Sequence, residues 1–336
     1  MIWIATIKDV AHKAGLSVTT VSRYLNNHPY ISDEKKEKIR DAMEELDYVP
    51  SSLATQLRSN RGTMIGVLVS RLTNPYFAYL VDAIEKKAKQ QGYRLLIMQT
   101  YGDKQEEINT LEMLKEKTIS GLIMCAVEND LETVESYAKY GAIAVSTQTD
   151  YKSDRLRLIT TNQEQATYDA INFLIRKGYT GIAYSTGGDF TDQSHGSYRN
   201  KGYLRALEES DIKLNERWIF KNNHTIEDGM EIAVQLSRLN EKDRPDAIFA
   251  GSDEVAIGII RKFEQLNIRV PADIAVMGFD NQPFSSLAKI PLTTVGQPME
   301  TLGQQAASLI ISMIEGTEFA IDESQLKLKI IERESA

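Results

Sequence analysis

Val18, Thr19 and Arg23 lie close together on the segment TIKDVAHKAGLSVTTVSRYLN, residues 6–26. A branched apolar side chain can meet a thymine methyl. A threonine hydroxyl can donate or accept, and a guanidinium can fork onto guanine O6 and N7. Ser17, Thr20, Ser22 and Asn26 add short polar groups that suit phosphate oxygens, which set register without reading sequence. Thr6, the first hydroxyl of the segment, is counted with them.

Such groups read base edges only if a helix carries them on one exposed face, N-terminus first. The local sequence supplies that helix and a second to support it. Thr6 is a good N-cap whose hydroxyl can accept from an early backbone N–H, and Asp9 adds favourable charge to the first turn. Ile7, Val10, Ala11 and Ala14 form an apolar stripe at helical spacing. Gly15 sits where the chain must turn through positive φ. Leu16 fills the angle between helices, Ser17 caps the second, and Val21 and Leu25 form its buried side. The expectation is a helix-turn-helix that enters the DNA major groove. The alternative is an amphipathic hairpin with a solvated polar face. A third helix is expected from Asp33 to Leu46, capped by Ser32, with Ile39, Met43 and Leu46 inward and the Lys35–Lys38 charges in water.

This segment resembles the headpiece of the lactose-repressor (LacI/GalR) family of bacterial transcription regulators. The likeness continues through Tyr48, Pro50, Ala54 and Leu57 in DYVPSSLATQLRSNRGTMIGVLV. The family hinge usually reads Y-x-P-N-x-x-A-R-x-L. Here Ser51 replaces its Asn and Thr55 its Arg, which implies weaker phosphate contacts. The resemblance implies that Tyr48 touches the DNA backbone. It also implies that Ala54 and Leu57 belong to a hinge helix formed on DNA, with Leu57 wedged into the minor groove. An apolar wedge unstacks a base step for a few kcal/mol and gains wider contact. Otherwise Leu57 is a linker residue packed lightly on the body.

With 336 residues the chain has room for two or three domains. Its hydrophobic content of 42% suits globular cores. No apolar run approaches the ~18 residues of a membrane span. The opening MIWI is too short for a signal h-region and lacks a basic n-region, so export is not expected. Cys125 is the single cysteine, which rules out an internal disulfide and suits the cytoplasm. The net charge is −8. Residues 1–60 hold eight Lys/Arg and eight Asp/Glu, so the deficit lies in residues 61–336. Within residues 1–32 the excess is only +2 (Lys8, Lys13 and Arg23 against Asp9). Electrostatic affinity per subunit is therefore modest, and dimerisation and hinge insertion must add to it.

From Met64 onward, β-rich apolar runs alternate with helical segments. The runs are Met64–Ser70, Tyr93–Met98, Gly121–Cys125, Ala142–Ser146, Gly181–Ser185, Ala247–Ala250 and Ile274–Met277. Helices are expected at Phe77–Gln91, Lys104–Lys117, Gln163–Lys177, Tyr198–Glu209 and Glu254–Leu266. This alternation argues for α/β architecture with doubly wound parallel sheets and ligands outside the carboxyl ends of the strands. The strands are too many for one sheet, so two lobes with a cleft are expected.

The family resemblance spans nearly the whole chain, through NPYF (74–77), RNKGY (199–203), RVPADIAVMGFDN (269–281) and PLTTVGQP (291–298). It implies a headpiece at 1–50, a hinge and linker at 51–62, and a two-lobed body at 63–336 like the periplasmic sugar-binding proteins. One lobe would be 63–160 plus 293–322, the other 161–292 plus 323–336. An effector would lie between them. Arg199 aligns with an arginine that bonds sugar hydroxyls or a carboxylate, and Asp280 with an acid that accepts from hydroxyls. His224 falls where many members place a stacking aromatic, and Tyr76 and Phe77 form the opposite wall. Surface placement for Arg199, a turn cap for Asp280 and a plain loop role for His224 are the alternatives. Three departures stand out: Ser252-Asp253 replaces Asn-Asp, Thr147 or Gln148 replaces a strand-end acid, and Thr161-Asn162 replaces Asp-Asn. Fewer acids in the pocket leave room for a modified or phosphorylated sugar.

No G-x-G-x-x-G, P-loop, H-E-x-x-H or Cys/His cluster is present, and His12, His28, His195 and His224 are scattered. Neither an enzyme, a metal site nor a cofactor is expected. The sequence thus reads as a cytoplasmic, dimeric DNA-binding regulator. It would repress carbohydrate-utilisation genes from a near-palindromic operator until a sugar or sugar phosphate binds. In the alternative regulator, a small molecule or a phosphocarrier protein strengthens DNA binding. A small-molecule-binding protein without a DNA role comes from another class, and a hydrolase is third. A tetramer is not favoured, because KLKIIERESA shows no sustained heptad.

Overall fold

A computed structural model describes residues 5–25, 28–49, 62–191 and 196–336. The chain divides into two compact units, Met1–Thr63 and Met64–Ala336.

The first unit contains α1 (Ile7–Lys13), α2 (Val18–Leu25) and α3 (Asp33–Glu45). Val10, Ala11, Val21, Ile39 and Ala42 form its buried centre, with Leu16, Leu25, Met43 and Leu46 packed around them. Gly15 turns the chain between α1 and α2 at φ +65°. Thr6 forms a capping box with Asp9, as expected, whereas the Ser32 cap differs in detail. The Thr6 hydroxyl donates to Asp9 Oδ2 at 2.6 Å, beside the Thr6 N–H at 2.8 Å. A carboxylate one turn on is a stronger acceptor than any neighbour, so the hydroxyl gives its proton to it. Ser32 holds the cap position of α3 with extended backbone but makes no side-chain cap hydrogen bond.

The second unit holds two sheets. The first has the order β2-β1-β3-β4-β5, all parallel, from β1 (Met64–Val69), β2 (Arg94–Gln99), β3 (Gly121–Met124), β4 (Ala142–Val145) and β5 (Arg157–Leu158). Helices α4 (Pro75–Gln90), α5 (Lys104–Lys115), α6 (Leu131–Tyr137) and α11 (Met299–Glu315) cover it. Strand β1 shows why both faces are covered. Ile65, Val67 and Val69 pack with Leu80 of α4 and Leu302 of α11, while Leu68 packs with Leu111 of α5. A strand buried on both faces must be apolar throughout, as MIGVLV is. Each fully buried aliphatic side chain contributes roughly 1.5–3 kcal/mol.

The second sheet has the order β11-β10-β9-β8-β6-β7. Its strands are β6 (Ile182–Ser185), β7 (Ile219–Phe220), β8 (Ala247–Phe249), β9 (Ala275–Asp280), β10 (Thr293–Gly296) and β11 (Lys329–Ile331). All pairings are parallel except β10 with β11. Helices α7 (Gln163–Arg176) and α8 (Ser197–Glu209) cover one face, and α9 (Ile226–Ser237) and α10 (Asp253–Gln265) the other. Helices α9 and α10 approach closely through glycines. A Cβ on Gly258 would stand 2.0 Å from Ile226 O, and one on Gly229 2.1 Å from Val255 O.

Two boundaries taken from the resemblance are corrected: Leu326, placed in the second lobe, packs in the core of the first, and a strand moves the other way. Residues 293–296, placed in the first lobe, form β10 and pair with β9 in register Thr293↔Met277. The chain re-enters the first lobe only with α11, whose Leu302 and Ala306 join its core. Thr293, Thr294 and Val295 are buried in the second sheet, so the crossing falls after the strand.

Both sheets share one winding. In each, the first strand of the lobe lies between the second and the third, so the chain reverses direction there. Such a switch point leaves a crevice at the carboxyl ends of two adjacent strands. The crevices lie after β1 and β3 in one lobe and after β6 and β8 in the other.

Candidate functional site

Two sites emerge. In the headpiece, α2 buries Val21 and turns Val18, Thr19 and Arg23 outward; Val18 is 41% exposed. Ser17 caps the helix by accepting from the Thr20 N–H at 3.1 Å. Its hydroxyl also pairs with Thr20 Oγ1 at 2.9 Å, so these two groups share a hydrogen bond. Ser22 is half-buried. Tyr48 packs against the headpiece core. Thr6 is tied to Asp9, whose carboxyl is held below its ordinary range chiefly by the Thr6 side-chain hydrogen bond. Asn26, Pro50, Ala54 and Leu57 lie outside the described residues.

The second site is a cavity of about 450 Å³ between the lobes, at the carboxyl ends of both sheets. Tyr76, Phe77, Gln148, Arg199, His224, Ser252 and Asp280 all line it. Their positions follow from local structure. Asn74 caps α4 by accepting from the Tyr76 N–H at 3.0 Å, and Pro75 fills the first helical position, where no N–H is needed. This sets Tyr76 and Phe77 edge to face, 5.1 Å between centroids. Burial pushes the Tyr76 hydroxyl well above its ordinary range, and raises the neighbouring Cys125 thiol to about 12.

On the opposite wall, Arg199 projects from α8. Its Nε donates to Gln163 Oε1 at 2.6 Å and its Nη1 to Gly251 O at 2.8 Å. The guanidinium carbon stacks 3.8 Å from the centroid of Phe279. Asp280 ends β9 at φ +112°, a region that costs a non-glycine residue of order 1–3 kcal/mol. Gln297 Nε2 donates to Asp280 Oδ1 at 2.7 Å and Gln282 Nε2 to Oδ2 at 3.3 Å. Burial raises the Asp280 carboxyl to about 7; Arg199 opposes the rise and Asp253 adds to it. Asp253 is itself raised by burial to about 6, despite hydrogen bonds from Ser285, Thr294 and the Gln282 N–H.

Two of the lining residues cap helices. Ser252 Oγ accepts from the Val255 N–H at 3.3 Å and starts α10. Gln148 Oε1 accepts from the N–H groups of Gln163 and Glu164 at 2.7 and 3.2 Å, at the start of α7. His224 precedes α9, and its ring lies beside Gly187. Burial, then the nearby Arg71 charge, lower its pKa and favour the neutral ring.

Sequence reasoning missed the loop after β3. Glu128, Asn129 and Asp130 line the cavity. The signal was present, since ENDL directly follows the apolar run GLIMCAV and so leaves a carboxyl strand end. Buried Glu107 anchors this loop, accepting from the Glu128 and Asn129 N–H groups at 2.6 and 3.2 Å. Arg71, which follows β1, was missed as well.

Comparisons place this geometry among known proteins. Residues 6–51 match the family profile of bacterial regulatory proteins, lacI family, and residues 171–336 that of the periplasmic binding protein-like domain. The NTD biosynthesis operon regulator NtdR of Bacillus subtilis (strain 168) is 36% identical over 332 residues, covering 98% of this chain and 99% of that protein. A LacI family transcriptional regulator from Lactobacillus casei, solved with bound glucose, is 37% identical with a TM-score of 0.76, over 81% of this chain and 99% of that one. The lac repressor dimer bound to operator and the anti-inducer ONPF is 26% identical with a TM-score of 0.80, over 99% of both chains. The chain belongs to the LacI family of DNA-binding bacterial transcription regulators. Among the described residues no helix is long and apolar enough to cross a membrane.

Proposed function

We propose that the chain is a homodimeric repressor of carbohydrate-utilisation genes, acts in the cytoplasm, and releases its operator when a sugar binds between the lobes. One observation carries this reading: the switch-point loops of both sheets line a single cavity, and hydrogen bonds join its two sides. Arg71 Nη2 donates to His224 O at 3.1 Å, and Gln282 Nε2 to Asn74 Oδ1 at 3.5 Å. A ligand that prefers one lobe arrangement shifts the population toward it by its differential affinity.

In this reading α2 enters the major groove. Val18 and Thr19 meet base edges, and Arg23 forks onto a guanine. Thr6, Ser17, Thr20, Ser22, Asn26 and Tyr48 hold phosphates. Ala54 and Leu57 enter the minor groove. Two headpieces related by a two-fold axis match a near-palindromic operator. In the cavity, Arg199, Asp280, Gln148 and Ser252 offer polar contacts, while Tyr76, Phe77 and His224 offer faces for a sugar ring.

Selection of binding sites from random duplexes, with the full chain at low ionic strength, tests the DNA half. Recovery of a near-palindrome is expected; enrichment of nothing overturns the reading. Adding sugars to the selected duplex tests the rest. Release is expected, and tightening would mean that the sugar is a co-repressor.

A further inference from the structure

We infer that the interlobe cavity selects a carbohydrate bearing a positively charged amino group, held between the Glu128–Asp130 loop of one lobe and the Asp280–Gln297 corner of the other. This rests on the effector reading above and narrows it to a class of ligand.

The charge balance of the wall is the first observation. Glu128, Asp130 and Asp280 line the cavity, and among the described lining residues Arg199 is the only lysine or arginine. Two of its nitrogens already donate to Gln163 Oε1 and Gly251 O, and its face lies on Phe279. The cation that a phosphate needs is therefore largely committed to the protein. A phosphate dianion entering here would face the Glu128 and Asp130 carboxylates, and Asp280 wherever it is ionised, and the partly desolvated cavity strengthens their effect over that in water.

The second observation is an orphaned acceptor. Gln297 lines the cavity at 8% exposure. Its Nε2 donates to Asp280 Oδ1, and its buried Oε1 has no hydrogen-bond partner. A buried acceptor left unpaired costs about 1–3 kcal/mol, so a donor placed there has strong leverage. An ammonium brings three donors and no acceptor.

The third is the construction of the acidic loop. Thr100 Oγ1 donates to Glu128 Oε1 at 2.7 Å. Fully buried Glu107 holds the loop's backbone and accepts from Asn129 Nδ2 at 2.9 Å. Asp130 is fixed as the cap of α6, accepting from the Thr133 N–H at 2.7 Å. These carboxylates are positioned before a ligand arrives, and preorganisation of this kind raises affinity and selectivity.

Isothermal titration of the full chain tests the inference with matched sets built on a monosaccharide and a disaccharide. Each set contains the parent sugar, its free amino derivative, the N-acetylated amine and the phosphate ester. The free amine is expected to bind at least tenfold more tightly than its N-acetylated partner, with the phosphate weakest. Glu128→Gln and Asp130→Asn each keep the local hydrogen bonds and should cut the amine-to-parent affinity ratio at least fivefold. If parent sugar or phosphate binds as tightly as the amine, or both variants keep the ratio, cation selection is overturned while the sugar-effector reading stands. If no sugar of any charge binds, both fall.

Discussion

Arg71 Nη2 donates to the backbone carbonyl of His224 across the cleft at 3.1 Å. The same nitrogen lies 4.0 Å from Glu254 Oε2, whose carboxyl is raised by burial. Arg71 follows β1, His224 precedes α9 and Glu254 lies in the first turn of α10, so one guanidinium joins two sheets through the rim of the cavity. Bonds at this place resist rotation of one lobe against the other.

Arg71→Ala should therefore loosen the cleft. A hydrogen bond and a long, partly exposed ion pair together contribute about 1–2 kcal/mol. Sugar affinity is expected to fall about fivefold to thirtyfold. Titration calorimetry measures this; unchanged affinity would show that the bridge does not set the lobe arrangement.

Asp280 gives a pH dependence whose sign is fixed. Burial raises its folded-state carboxyl to about 7, above the ordinary value of 3.8. The folded chain thus binds the extra proton between those values, and stability falls as pH rises from about 4 to about 7. Asp253, raised to about 6, adds in the same direction. Asp280→Asn should flatten this slope and raise the melting temperature of the ligand-free protein at pH 8. A steeper slope in the variant would contradict the assignment.

Gly258→Ala should destabilise the body. The new Cβ would meet Ile226 O at 2.0 Å, a backbone atom that cannot rotate away. Overpacking of this kind costs about 1–3 kcal/mol or more. Thermal unfolding of the variant reads the loss directly, and an unchanged transition would mean that α9 and α10 separate freely.

Arg23→Ala should relax base preference at one position in each half-site and cost about 1–3 kcal/mol of binding. Ser17→Ala acts differently, because Ser17 caps α2 and shares a bond with Thr20. It should weaken binding to all sequences alike. Binding-site selection with each variant separates the two effects.

The legible parts of the chain were those whose local chemistry is self-contained. Capping at Thr6 and Ser17, the turn at Gly15 and the apolar faces of α1 and α2 are decided within a few residues. The long strands β1 and β9 announce themselves as apolar runs because both faces are covered. Strands β5 and β7 have two residues each, too few to show any period. Strand β10, TTVG, was noticed only as part of a motif and assigned to the wrong lobe, because pairing with β9 is a long-range choice. The cavity followed the same division. Arg199 and Asp280 were found through motifs. The acidic loop at Glu128 escaped because its meaning depends on Glu107, which sits on another helix and holds it in place.

The central claim is that cavity and operator are linked, and linkage is reciprocal. The decisive measurement is a thermodynamic square: operator affinity with and without saturating sugar, and sugar affinity with and without saturating operator, by fluorescence anisotropy and calorimetry. Both factors should agree and exceed about fivefold, with sugar weakening DNA and DNA weakening sugar. Tight binding of both ligands with a factor of one would contradict the account.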